Sequence, residues 1–152
     1  MKKQPIRNKT TKPVVKKKVV KPRKRIHPKY GTSKLEDKFA KEFLDKLNIP
    51  YERQFEAKEI GRFYDFKIGN RILIEVDGDY YHGKGKVFEE KSPMQKHNEM
   101  VDGIKNKWAV EHNYLLYRVW ESDIINNGTQ VMKELKEILD IDDKRENKKK
   151  RH

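Results

Sequence analysis

The 152-residue chain has no cysteine. Disulfides and cysteine-bound zinc are therefore excluded, and a reducing compartment fits. No apolar run approaches the roughly 20 residues of a membrane span. The N-terminus is basic but lacks the apolar stretch of a secretory signal. The first 34 residues contain no acidic residue at all, against 14 Lys/Arg. There is no internal repeat.

The positive charge sits at the ends. Residues 35–143 hold 17 Lys/Arg against 23 Asp/Glu, and residues 144–152 hold 6 against 1, so the net +13 comes wholly from the two termini. A basic arm on a mildly acidic body points to a polyanion partner. The runs Lys16-Lys17-Lys18 and Arg23-Lys24-Arg25 are the expected phosphate contacts, where lysine-rich arms gain affinity by releasing counterions. A plain solubilising tail is the simpler alternative. The chain divides into a disordered basic arm (1–30), a folded domain (31–142) and a basic C-terminal tail (143–152), because the arm has too little apolar surface to bury.

Within the domain, Leu35, Phe39, Phe43 and Leu47 form one helical stripe that ends before Pro50. Ser33 and Glu36 have capping-box spacing. Strands are predicted near Tyr51–Phe55, at Arg62–Ile68 and at Ile72–Asp77, the last two joined through Gly69-Asn70. Two hairpin registers compete. The one pairing Ile68 with Ile72 gathers Tyr64, Phe66, Ile68, Ile72, Ile74 and Val76 on one apolar face, and it is preferred because a one-residue slip exchanges faces. Asp65 then lies opposite Glu75, and Phe63 opposite Asp77. Beyond a mobile loop at 83–93, a helix is expected from Met94 to His112 with Met94, Val101, Ile104, Trp108 and Ala109 as its apolar stripe. A buried strand at 114–120 and a helix at 129–139 follow. The order αβββαβα implies a mixed sheet flanked by helices.

That register puts Asp65, Glu75 and Asp77 on one sheet face. Three carboxylates so close repel one another, and a hard divalent cation bound through oxygen relieves them. Mg²⁺ is the expected ion, with Mn²⁺ as a substitute. The alternative is that Glu75 and Asp77 simply reach solvent at a sheet edge, with Asp77-Gly78 forming a turn. His82, just past the strand, suits proton transfer near neutrality. Asp102 and Lys105 share a helix face, where a surface ion pair is the plainer explanation.

The run Glu36 … "FYDF" … "IEVDGDYYH" … "DGIKNKWAVEHNYLLYRVWESDI" resembles very-short-patch-repair (Vsr-like) endonucleases. It is also similar to their relatives in the PD-(D/E)XK superfamily, phage and homing endonucleases among them. The resemblance spans about residues 33–125. It implies a restriction-endonuclease-like αβββαβ core and Mg²⁺-dependent hydrolysis of phosphodiesters in double-stranded DNA. It implies Asp65 and Asp77 as metal ligands with the Val76 carbonyl, Glu75 assisting, and His82 activating water. Glu36 matches the first-helix glutamate and Asp102 the late aspartate. Tyr80 and Tyr81 stand where aromatics wedge between base steps. Asp77 occupies the place of the superfamily's lysine, whose role falls to His82 or Lys105. Without cysteine, the structural zinc site of the repair enzymes is excluded, so a phage or homing type fits better. The expected location is the cytoplasm of a bacterial or phage-infected cell, on DNA. The competing readings are a non-catalytic DNA-binding or packaging protein with a degenerate nuclease fold, and a branched-DNA resolvase.

Overall fold

The computed structural model describes residues 33–151. The basic arm and its Lys16, Lys17, Lys18, Arg23, Lys24 and Arg25 lie outside the described residues.

Helix α1 (Lys34–Phe39) starts at Ser33, whose hydroxyl accepts from the Glu36 N–H at 3.1 Å. It continues as a π turn, Ala40–Leu44, closed by Asp45 N–H on the Ala40 carbonyl at 2.8 Å. The wider turn has a physical reason. An α-helix lets a stripe of every fourth residue drift by about 40° per step. The π turn absorbs part of that drift. Phe39 and Phe43 are buried as a result, and Leu35 and Leu47 pack against the same cluster.

Strands β1 (Glu52–Ala57), β2 (Arg62–Ile68), β3 (Ile72–Asp77) and β4 (Leu115–Trp120) form one sheet in the order β1-β2-β3-β4. The first two pairings are antiparallel and β3 pairs with β4 in parallel, so the sheet is mixed. Helix α2 (Pro93–Glu111) makes the crossover between β3 and β4. A full capping box opens it: Ser92 and Gln95 satisfy each other's backbone N–H, and Pro93 takes the first turn. A single 3-10 turn, Phe88–Glu90, interrupts the loop expected at 83–93. Short helix α3 (Glu121–Asn126) and long α4 (Gly128–Lys150) complete the chain. Sequence periodicity misses α3 and ends the last helix too early. Helix α4 runs on to Lys150, through the segment expected to be a tail.

Two cores lie on opposite sides of the sheet. Phe66, Ile68, Ile72, Ile74, Tyr117 and Val119 pack against α1, α3 and α4 through Phe39, Phe43, Ile124, Val131 and Leu135. Tyr64, Leu73 and Ala57 pack against Trp108 and Ala109 of α2. The chain is thus an α/β fold with a four-stranded mixed sheet flanked by helices. No helix among the described residues is long and apolar enough to cross a membrane.

The hairpin takes the preferred register, Phe66 with Ile74 and Ile68 with Ile72. Its alternation breaks at Asp65, however. Tyr64 leaves the Phe66 face and joins Trp108 instead. The neighbouring strand breaks at the same rung, where Gln54 takes φ +54° between the pairs Arg53–Phe66 and Phe55–Tyr64. Beyond Phe66, side chains take over the link between β2 and β3. The Asp65 N–H donates to Glu75 Oε1 at 2.9 Å, and the Val76 N–H donates to Asp65 Oδ2 at 2.8 Å. Phe63 is accordingly a partner of Glu56 on β1, in place of the pairing with Asp77.

Two further expectations need correction. Met94 and Ile104 are both 40% exposed, so of the apolar stripe expected on α2 only Trp108 and Ala109 are buried. The buried face carries Gln95, Lys105, Trp108 and Ala109, because it looks onto acids as well as onto core. Strand β4 is an edge strand with only Tyr117 and Val119 buried, since no strand among the described residues pairs with its outer side.

Candidate active site

The C-terminal end of β3 carries Glu75 and Asp77, each 5% exposed. Two adjoining groups of charge form around them.

The first group is Glu36, Asp65, Glu75 and Lys105. The Lys105 Nζ lies 2.5 Å from Glu75 Oε2. The capping serine places Glu36 at the first turn of α1, where its carboxylate also accepts from the Gln54 amide at 3.1 Å. The strained backbone of Gln54 holds that amide in place, and strain of this kind concentrates at functional sites. The Ser33 cap thus starts the helix as the spacing foresees, with the Glu36 carboxylate turned to Gln54. Glu36 and Asp65 lie close enough for the charge of one to bias the protonation of the other. Burial pushes Asp65 up to about 7, and neighbouring Glu36 pushes the same way. Burial and then Asp65 raise Glu75 to about 7, against the pull of Lys105. Burial likewise raises Glu36. Three buried carboxyls meet only Lys105 closely, with Arg53 at 4.0 Å from Glu36 Oε2, so acid outweighs base in this group.

The second group is Asp77, His82, Asp102 and Arg118. His82 Nδ1 lies 2.6 Å from Asp102 Oδ2, and its Nε2 lies 3.6 Å from Asp77 Oδ1. Arg118 Nη1 lies 3.0 and 3.2 Å from the two Asp77 oxygens and 3.3 Å from Asp102 Oδ1. The hydrogen bond from Asp102 raises His82 above its ordinary 6.5; burial opposes that, and Asp77 adds to it. Burial alone would raise Asp102, but His82 and Arg118 hold it below the usual carboxylate range. Asp77, His82 and Asp102 each offer one donor atom, all within 4.8 Å of one another, so this group could hold a metal ion.

Local structure explains the placement of His82. The loop after β3 winds back on itself, with the His82 N–H on the Gly78 carbonyl and the Lys84 N–H on the Asp79 carbonyl. Asp79 accepts from the Ser122 N–H and hydroxyl, both at 3.3 Å. Helix α2 fixes the two tyrosines by their backbones: Gln95 donates to the Tyr80 carbonyl at 2.5 Å and Asn98 to the Tyr81 carbonyl at 2.8 Å. Their rings stay 68% and 60% exposed, edge to face 5.5 Å apart.

All five residues expected to be catalytic, Glu36, Glu75, His82, Asp102 and Lys105, fall in these two groups. Asp65 and Asp77 are divided between them, and Val76 contributes its N–H to Asp65. Sequence reasoning missed Arg118, Gln54, Gln95 and Asn98. A signal for Arg118 exists: it is the one charge in "YLLYRVW". Its target emerges only when parallel pairing sets it beside Glu75.

No protein-family model matches the chain, and neither does any curated protein sequence. Among solved structures, the catalytic domain of the homing endonuclease I-Bth0305I is similar to this chain, with 19% sequence identity and a TM-score of 0.49, over 69% of this chain and 92% of that one.

Proposed function

We propose that this chain is a divalent-metal-dependent DNA endonuclease of Vsr-like type that hydrolyses phosphodiester bonds. The observation that carries this reading is the buried, undercompensated carboxyl group of Glu36, Asp65 and Glu75 beside a hydrogen-bonded His82–Asp102 pair. Such a pair of charge centres suits a cation on one side and proton transfer on the other.

The donor chemistry fits a hard cation. Asp65, raised to about 7 by burial and Glu36, and Glu75, raised to about 7 by burial and Asp65, give up their protons more readily as positive charge arrives. Oxygen donors select Mg²⁺ or Mn²⁺. Asp65 and Asp77 with the Val76 carbonyl would hold the ion, and Glu36 and Glu75 would flank it. When bound there, Mg²⁺ supplies Lewis-acid polarisation of the phosphodiester and charge for the departing oxygen.

The chain's own residues do the rest. Asp102 accepts from His82 Nδ1 and so leaves Nε2 to take a proton from the attacking water. One P–O bond forms to that water and the opposite P–O bond breaks. Lys105 keeps Glu75 oriented and adds positive charge beside the phosphate. Tyr80 and Tyr81, exposed and held by their backbones, are placed to press on the bases. The basic arm holds phosphates and adds affinity without sequence choice.

The test is supercoiled plasmid incubated with the full chain in Mg²⁺ and in EDTA. Conversion to nicked or linear DNA in Mg²⁺ alone supports the reading. DNA that is bound but uncut in both would make the chain a binding protein. Preferential cutting of branched over linear duplex would make it a resolvase.

A further inference from the structure

We infer that Arg118 is a resident counter-cation, a positioning residue that ties Asp77 to Asp102 in the metal-free chain and that must release Asp77 as the metal binds. This rests on the metal-dependent reading above and deepens it.

The geometry is unusual for a structural arginine. A guanidinium that only braces a carboxylate presents two parallel N–H bonds from two nitrogens. Here one nitrogen, Nη1, meets three carboxylate oxygens of two residues, at 3.0, 3.2 and 3.3 Å. One centre of positive charge among converging carboxylate oxygens is how a small cation sits. Nε is occupied by the Asn106 Oδ1 at 2.7 Å. The remaining nitrogen, Nη2, is buried with no hydrogen-bond partner among the described residues. An unsatisfied buried donor costs free energy and favours a move that pairs it.

Both Asp77 oxygens, which the proposed ion on Asp65 and Asp77 would need, are taken by this one nitrogen, Nη1. They cannot serve both cations fully, so metal binding and the Arg118 contact compete. There is room for the arginine to move. A cleft of about 330 Å³ is lined by Arg118 together with Asn106, Val110, Tyr114 and Leu116. Once freed, the guanidinium offers a planar fork that matches phosphate oxygens. Arg118 would thus keep the acids paired before metal and DNA arrive and then turn its charge to the phosphate.

The experiment is calorimetric titration of the full chain with Mn²⁺, without DNA, for wild type, Arg118→Lys, Arg118→Met and Asp65→Asn. The expected order of Mn²⁺ affinity is wild type, then Arg118→Lys, then Arg118→Met, the last about tenfold tighter than wild type. Plasmid cleavage by Arg118→Met should nonetheless be slower, because the phosphate contact is lost. Equal or weaker Mn²⁺ binding by Arg118→Met overturns the inference and leaves the metal reading intact. Wild type with no Mn²⁺ binding, or binding indifferent to Asp65→Asn, overturns the metal reading itself. If Arg118→Met is unfolded without metal, its melting transition is followed with and without Mn²⁺. Recovery of the fold by Mn²⁺ supports the competition, and no recovery contradicts it.

Discussion

His82 and Asp102, twenty residues apart, are joined Nδ1 to Oδ2 at 2.6 Å between the loop after β3 and the third turn of α2. The bond orients the ring and raises the imidazole above its ordinary 6.5. A group that works as a base must be neutral, so cleavage should rise with pH through this elevated value. Asp102→Asn removes the cause and should move the acidic limb of the rate profile downward while lowering the plateau. A rate profile measured on plasmid from pH 5 to 9 checks this. An unmoved limb in Asp102→Asn would show that another group governs it.

Glu36 separates two roles by one atom exchange. Glutamine preserves the cap at Ser33 and can accept from Gln54, but it cannot carry charge beside Asp65. Glu36→Gln should melt near wild type and lose at least about tenfold in rate, the equivalent of roughly 1.4 kcal/mol. Glu36→Ala should lose both, the cap costing about 0.5–2 kcal/mol. Full activity in Glu36→Gln would confine this residue to the helix cap.

Asp65 is expected to trade stability for function. Its folded value near 7 lies above the ordinary 3.8, so the folded chain holds the proton more tightly than the unfolded one. The linkage is therefore favourable below about 4 and is lost as pH rises through about 7. Glu75, also near 7, acts in the same direction. In chelator, wild type should melt higher at pH 5.5 than at pH 8. Asp65→Asn keeps an acceptor for the Val76 N–H and should flatten that dependence, melting above wild type at pH 8. A wild-type melting temperature that rises from pH 5.5 to 8 would refute the assignment of a buried, protonated acid.

The hairpin was legible because its apolar residues specify only one register. The break at Asp65 was not. Strict alternation predicts Tyr64 beside Phe66, and only the positive φ of Gln54 on a different strand reveals the change of face. Ion pairs across elements were equally hidden. Arg118 reaches Asp77 and Asp102 through the parallel β3–β4 pairing and α2, a relation no local pattern encodes. On α2, propensity favoured an apolar stripe at Met94 and Ile104, while the helix turned Gln95 and Lys105 inward to meet a carbonyl and a carboxylate. Hydrophobic period finds core, and a functional face departs from it.

Removing residues 1–30 deletes 13 positive charges. DNA binding should weaken at low salt, and the slope of log affinity against log salt should shrink because fewer counterions are released. The melting temperature should barely change. Fluorescence anisotropy across a salt series reads the slope, and an unchanged slope would mean the arm does not touch phosphate.

The central claim is that the carboxyls at the end of β3 carry metal-dependent cleavage and are not a structural charge cluster. The most direct measurement is single-turnover plasmid cleavage in Mg²⁺ by Asp65→Asn and Asp77→Asn, with duplex affinity measured on the same preparations. The account predicts cleavage abolished in both variants and affinity within a few-fold of wild type. Wild-type cleavage rates in either variant would contradict it.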